Sequence, residues 1–328
     1  MTAVVGVDLG GTKVAAAALV GRELSDSSLL QTDCSSSDAV VDQLVEVVGS
    51  ARPQGLDAVG IGVPSVVDFE TGRVVSSVNI PLADLSLREV LGERLGVPVF
   101  VDNDATVAAL AEAHDEQLRL VAHNLVMLTV GTGVGGGIVI RGRIYRGATG
   151  AAGEIGHTLI GLNLADDVAA PTRFPQPGSL ESLAAGHALD ALAGAVADAE
   201  PDSPLGRLRA ADKPVLGPEA VEAARNGDAA AARAVQLWAE RLGIGVANAI
   251  NTFDPDEVVI GGGAQAAGDL LLEPARRIAR GYVLPGLGER TTIRLARHGL
   301  RAGVLGAALL AAHELEPSAV PPTTEVYP

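Results

Sequence analysis

The stretch "VVGVDLGGTKVAAAALV", residues 4–20, decides how the rest of the chain is read. Val4 to Leu9 and Val14 to Val20 are short, small and β-branched, as buried strands are, and Gly10-Gly11-Thr12 between them predicts a tight turn. Strand, turn, strand is a β-hairpin. A Walker loop and a G-x-G-x-x-G dinucleotide fingerprint both require a helix after the glycines, so neither fits. Glycine N–H groups can still close on phosphate oxygens, because no Cβ blocks the approach, and Thr12 and Lys13 add a hydroxyl and a cation. Asp8, just before the turn, is placed to hold a magnesium ion through water. An ordinary hairpin with a polar tip is the alternative that this segment alone leaves open.

The pattern recurs. "LVMLTVGTGVGGGIVIRGRI", residues 125–144, is again strand, glycine turn, strand, and Asp8-Leu9-Gly10-Gly11-Thr12 aligns with Thr129-Val130-Gly131-Thr132-Gly133. Gly131-x-Gly133-x-x-Gly136 matches the dinucleotide expression, but Ile138-Val139-Ile140 continues as strand where a helix is needed, which excludes the Rossmann reading. Two similar halves are implied. Hairpins facing one another across a cleft would clamp phosphates and exclude water from a transferring phosphoryl group, with a side chain at Gly133 blocking the approach. A third glycine cluster follows a helix with Val235, Trp238, Leu242, Val246 and Ile250 on one face, ended by Asp254-Pro255. There "EVVIGGG", residues 257–263, reads as strand into turn and "AQAAGDLLLEPARRIAR", residues 264–280, as helix. Gly262 and Gly263 let the backbone approach an adenine ring and ribose; a tight connection needed only for packing is the other reading.

Composition narrows the partners. The 328 residues, 48% hydrophobic and 20% charged, suffice for two domains. A formal charge of -16 repels phosphate backbones and anionic lipid, so neither nucleic acid nor membrane is an expected partner. The single cysteine, Cys34, excludes an internal disulfide framework and points to a reducing cytoplasm. The first residues lack the basic and apolar segments of an export signal, and no long apolar run predicts a membrane span.

Five motifs in one order carry a resemblance: Asp8-Leu9-Gly10-Gly11-Thr12-Lys13, "VDNDATVAALAE" (101–112), "TVGTGVGGGIV" (129–139), "GEIGH" (153–157) and "DEVVIGGG" (256–263). Together they resemble the ROK family of bacterial sugar kinases and sugar-responsive repressors, from about residue 3 to about residue 313. The resemblance implies an α/β, two-domain actin-like (ribonuclease H-like) sugar kinase fold with an interdomain active-site cleft. It also implies ATP, magnesium, a homodimer and transfer of the γ-phosphate to a hexose hydroxyl, usually on C6. Asp104 follows a strand end and opens a helix, where the helix N-terminus favours the ionised carboxylate that a general base needs. Helix capping is the structural alternative for that residue. By resemblance, Asn103, Asp104, Glu154, His157 and Glu181 fall on sugar-binding positions, with Asn79 a further candidate; the glycines around Glu154 and His157 predict a loop.

The departures bear on specificity. Where family members carry three zinc-binding cysteines, "TRFPQPGSLE", residues 172–181, places Thr172, Phe174 and Ser179, so no structural zinc is expected and hydrogen bonds or packing would hold His157. Ser65 in "GVPS" stands where the family typically has glycine and would constrict the sugar pocket or bond the sugar. The reading is therefore a hexose kinase acting on glucose or a glucose-like sugar, with an amino sugar such as kanosamine or N-acetylmannosamine as the substrate alternative. An inactive sugar-sensing regulator is the alternative of another class. It would lack a DNA-binding domain, since the first hairpin begins at residue 4. Residues 1–105 are expected to form the smaller domain, completed by a helix at about 300–315, residues 106–299 the larger, and residues 316–328 a flexible tail.

Overall fold

The structure, a computed structural model, describes residues 2–77, 79–162 and 173–315. In chain order its elements are β1 Ala3–Leu9, β2 Lys13–Val20, β3 Glu23–Leu24, β4 Ser28–Gln31, α1 Ser37–Ala51, β5 Ala58–Val63, β6 Ser65–Asp68, β7 Arg73–Ser77, α2 Leu87–Leu95, β8 Val99–Asn103 and α3 Asp104–Glu112. There follow β9 Leu125–Val130, β10 Val134–Ile140, β11 Arg143–Ile144, α4 Leu180–Ala184, α5 Gly186–Ala199, α6 Pro204–Ala210, α7 Gly217–Arg225 and α8 Ala229–Phe253. The last are β12 Glu257–Gly261, α9 Asp269–Tyr282, β13 Thr292–Leu295 and α10 Ala302–Leu315. None of the described helices is long and apolar enough to cross a membrane.

The chain divides into two compact units, the first from residues 1–111 and 301–328 and the second from residues 112–300. In the first unit the main sheet runs β3-β2-β1-β5-β8, and in the second β11-β10-β9-β12-β13. These five-strand paths correspond, and the first sheet also carries β4, paired with β2. In each, an antiparallel hairpin (β1 with β2, β9 with β10) is followed by two parallel strands. Each unit thus contains one of the two glycine turns. The calls for residues 316–328 and for Thr172 lie outside the described residues.

The first sheet is buried as parallel strands usually are, with all six residues of β5 out of solvent. Its cover includes α10, and the two surfaces meet at backbone distance. A Cβ at Gly6 would overlap the Val304 carbonyl oxygen, and one at Gly60 the Ala307 carbonyl oxygen. From the helix side, a Cβ at Gly306 would overlap the Val107 carbonyl oxygen of α3. No flexible side chain can give way, so only hydrogen fits at these positions.

In the second unit the apolar face of α8 packs Val235, Trp238, Leu242, Val246 and Ile250 into the core, and Asp254 ends the helix in the left-handed conformation, φ 42°. The helix expected over 264–280 starts later than the sequence suggested. Residues Gly263–Ala267 form a 3-10 turn, Gly268 adopts φ 61°, and α9 begins at Asp269. The left-handed glycine breaks the run of small residues that reads as continuous helix.

A charge cluster in this unit joins Glu112 and Glu257, which lie in the motifs at 101–112 and 256–263 but carry no expectation there. The fully buried Glu112 carboxylate lies 2.6 Å from Arg294 Nη1 and accepts the Arg297 and His298 backbone N–H groups at 3.0 and 2.9 Å. Arg294 also donates to Glu257 Oε2 at 2.7 Å. Glu112 opens the second unit, and residues 297–298 precede the return of the chain to the first at 300–301. The carboxylate therefore pins both chain crossings to the edge of β12 and β13.

The glycine contacts make a stability test. Gly60→Ala should cost about 3 kcal/mol in urea unfolding, because the new methyl meets main chain, whereas Gly49→Ala, with open space around it in α1, should gain up to about 1 kcal/mol. Equal stabilities for the two variants would contradict the close packing of α10.

Candidate active site

Asp8 is the penultimate residue of β1 and Asp104 the first of α3. The two carboxylates interact: burial pushes the Asp8 carboxyl up to about 6, and the Asp104 charge adds to the effect. Burial also raises Asp104, and this outweighs the lowering by the Ala105 N–H group, which donates to Asp104 Oδ1 at 2.8 Å. The helix N-terminus was expected to favour the ionised carboxylate, and desolvation is the larger influence. Capping is shared with Asn103, whose Oδ1 accepts from the N–H groups of Ala105 and Thr106 at 3.0 and 3.2 Å. A Cβ at Gly303, in the first turn of α10, would overlap the Asp8 carboxylate. Gly303 is a site residue that the sequence did not announce.

The first glycine turn, Gly10 to Lys13, closes by a bond from Gly10 N–H to the Lys13 carbonyl at 2.8 Å. Thr32 buttresses it from behind, donating its hydroxyl to the Gly10 carbonyl at 2.7 Å and its N–H to the Thr12 carbonyl at 3.0 Å. Gly11, Thr12 and Lys13 are exposed, with tip carbonyls turned to the strap at residues 32–34. Asn79 lies beside this tip, its Cβ 3.6 Å from where one on Gly11 would be, and lines a cavity of about 550 Å³ with Cys34 and Ser77. Ser65 is buried and its hydroxyl donates to Ser77 Oγ at 2.9 Å, so that group is engaged within the β6–β7 ribbon. Asn103 Nδ2 reaches the Ser65 carbonyl at 3.4 Å.

The second turn is built alike. Gly131 N–H donates to the Gly133 carbonyl at 2.9 Å, and the turn's own carbonyls at Gly131 and Thr132 accept from Gly186 N–H at 2.7 Å and meet His187 Nδ1 at 3.0 Å. Gly131, Thr132, His187, Asp190, Pro218 and Gly263 line a cavity of about 390 Å³ in the second unit. A Cβ on Gly131 or on Gly263 would stand in open space, while Gly262 turns the chain with φ 78°. The third glycine cluster thus borders, through Gly263, the same cavity as the second turn. The atom that a Cβ on Gly133 would meet is Glu181 Oε2, so this glycine makes room for a carboxylate.

Glu154 and His157 stand side by side, on a turn where the glycines around them predicted a loop. Residues Ile155–His157 form a 3-10 turn, whose three-residue period aligns positions i and i+3, and His157 Nε2 lies 3.7 Å from Glu154 Oε2. The His157 ring packs edge-on to Phe174, with centroids 5.6 Å apart. Ser179 is buried and caps α4, accepting from Ser182 N–H at 3.2 Å. Phe174 and Ser179 therefore offer packing and a cap where thiolates would be needed, and this segment does not fit a zinc ion. Among the described residues no three His, Cys, Asp or Glu side chains cluster as metal ligands. Magnesium asks for less: one or two carboxylates, with phosphate and water completing the shell. The partly buried pair Asp8 and Asp104, which repel one another, fits that requirement.

The raised Asp8 carboxyl has a thermodynamic consequence. Its folded value near 6 exceeds the ordinary 3.8, so ionisation opposes folding above pH 6 and this cost vanishes as pH falls to about 4. With chelator present and no nucleotide, Asp8→Asn should stabilise the protein at pH 8 by on the order of 2 kcal/mol, a gain that shrinks towards pH 4. A variant less stable than the wild type at pH 8 would show that the carboxylate instead supports the fold.

Comparison with known proteins bears on these residues as a set. The sequence profile of the ROK family matches residues 4–314. A glucokinase of Halalkalibacterium halodurans is 34% identical over 314 residues, 92% of each chain. A putative xylose repressor of Caldicellulosiruptor sp. is 35% identical over 80% of this chain and 65% of its own length. Among solved structures, a ROK family glucokinase from Streptomyces griseus, in complex with glucose and AMPPNP, superposes with a TM-score of 0.76 at 31% identity, covering 95% of this chain and 99% of that one. The repeated hairpin sheets, the acidic residues Asp8 and Asp104 at strand ends of the first, and this match over nearly the whole sequence have one explanation: the chain belongs to the ROK family and has the actin-like fold of its sugar kinases.

Proposed function

We propose that this protein is an ATP-dependent sugar kinase that moves the γ-phosphoryl group to the 6-hydroxyl of glucose or a glucose-like hexose. The observation that carries the proposal is the carboxylate of Asp104, desolvated at the start of α3 and within electrostatic reach of Asp8. A base with a raised pKa is closer to neutrality and so better matched to accept a proton from an alcohol. In the proposed step the hydroxyl oxygen bonds to the γ-phosphorus, the bond to the bridging oxygen of ADP breaks, and the proton passes to Asp104. Magnesium, held by Asp8 through water, would supply charge neutralisation on the phosphates.

The other roles follow the chemistry of the groups. The Gly10, Gly11, Thr12 and Lys13 turn and the Gly131, Thr132 and Gly133 turn offer phosphate oxygens N–H groups, a hydroxyl and a cation. Gly263 leaves the cavity it borders open to adenosine, and Gly262 makes the turn that places it there. Asn103, Glu154, His157 and Glu181 are proposed to hold sugar hydroxyls, each of which both donates and accepts. Asn79, exposed beside the first turn, is a further contact, and Ser65 would act through the backbone position that Asn103 touches. Likeness to a xylose repressor keeps a second reading in view, a sensor that binds sugar without turnover. Function in the cytoplasm as a homodimer is part of the proposal, supported by family likeness alone.

Two experiments follow. Asp104→Asn retains the Oδ1 acceptor for Ala105 N–H but cannot take a proton, so the phosphorylation rate should fall about a hundredfold or more while calorimetric sugar affinity changes little. Retained turnover would remove Asp104 from the chemistry; a wild type that binds sugar and ATP without turnover would favour the sensor. Elemental analysis should find far less than one zinc per chain, and dialysis against a chelator followed by magnesium should leave activity intact. A tightly held stoichiometric zinc would overturn the account of Phe174 and Ser179.

A further inference from the structure

Glu181 is the second residue of α4, and its position is fixed by the residues around it. Ser179 caps the helix, and the preceding segment is sewn to the Glu154–His157 turn by bonds from Leu180 N–H to the Thr158 carbonyl and from Ile160 N–H to the Gly178 carbonyl, both 2.8 Å. From there the carboxylate reaches the second glycine turn. Glu181 Oε2 accepts the Val134 N–H at 2.7 Å, and it occupies the space that a side chain at Gly133 would need. Oε1 has no hydrogen-bond partner among the described residues, and the side chain is half-buried. One carboxylate thus has one oxygen committed to the turn and one open.

We propose that Glu181 couples the two ligands of this unit, as a positioning residue for the nucleotide as well as a contact for the sugar. The coupling rests on the sugar-kinase reading for the identity of those ligands. The bond to Val134 N–H sets the conformation of Gly131–Gly133, the segment proposed to face phosphate. A sugar hydroxyl donating to Oε1 fixes the carboxylate and with it that turn; a phosphate that orders the turn likewise fixes the carboxylate for the sugar. Each ligand then strengthens the other by the same factor, as linkage requires. The bond is charge-assisted and partly shielded from water, which makes it strong enough to matter. Gly133 is a glycine because of this contact, and its replacement should act on sugar as well as on nucleotide.

The test measures affinity for magnesium-ADP alone and for glucose alone by calorimetry. It uses the wild type, Glu181→Ala, Glu181→Gln and Gly133→Ala, with folding checked by thermal melting. Glu181→Ala should weaken ADP about tenfold with no sugar present. Glu181→Gln keeps an oxygen that accepts from Val134 N–H, so ADP affinity should stay within about twofold of the wild type while glucose weakens in both variants. Gly133→Ala displaces Oε2 without removing it and should weaken both ligands, which keeps the comparison decisive if Glu181→Ala fails to fold. Unchanged ADP affinity in a folded Glu181→Ala or Gly133→Ala protein would overturn the coupling. Turnover of sugar by the wild type with that result would sink the coupling alone, whereas lack of turnover with weakened ADP binding would sink the kinase reading and leave the Glu181 contact standing.

Discussion

A helix can rest on a β-sheet at backbone distance only where neither surface carries side chains, and that constraint sets the geometry of the first unit. Gly6 on β1 and Gly60 on β5 admit the backbone of α10, and Gly306 admits α3 from the other side. Packed this closely, the first turn of α10 arrives at Asp8, where Gly303 leaves room for the carboxylate and little for water. The same contact holds α3, whose first residue is Asp104. Desolvation of both acids is therefore a product of the packing. It makes each costly to ionise, and it produces a pair of carboxylates suited to a cation and a proton.

The second unit uses the same strand order for a different purpose. Its hairpin ends at Thr129-Val130 where the first has Asp8-Leu9, so it carries no acid at the turn and instead opens onto a cavity bordered by α5, α7 and the third glycine cluster. Its acid, Glu181, is supplied from α4 and lies across the turn. Duplicated topology thus carries divided chemistry: an acid at the end of the first hairpin and an open cavity beside the second.

Much of this was legible locally. The hairpins could be read because small β-branched runs around glycines have few other conformations, and α8 because its apolar residues keep a 3.6-residue period from Val235 to Ile250. The start of α3 at Asp104 could be read because a polar Asp102-Asn103-Asp104 junction after a strand predicts a helix start. Gly60, Gly303 and Glu112 left no local trace, since each is defined by a partner far along the chain: Ala307, Asp8 and Arg294. The Glu154–His157 pairing was missed as a turn because Gly153 and Gly156 look like loop residues. Gly156 is a glycine for a tertiary reason, the Val134 carbonyl that a Cβ would overlap. Ser65 read as a pocket residue, yet its hydroxyl is taken up by Ser77 across a two-stranded ribbon that the sequence did not reveal.

The central claim is that the protein transfers a phosphoryl group to a sugar and does not merely sense one. Phosphorus NMR of the wild type incubated with ATP, magnesium and each of a panel of hexoses and aminohexoses observes that transfer directly. The account expects hexose-dependent loss of the γ-phosphate signal, formation of ADP and a new phosphomonoester coupled to the protons on C6. Sugar and ATP that both bind, with the γ-phosphate signal unchanged or released only as inorganic phosphate, would contradict it.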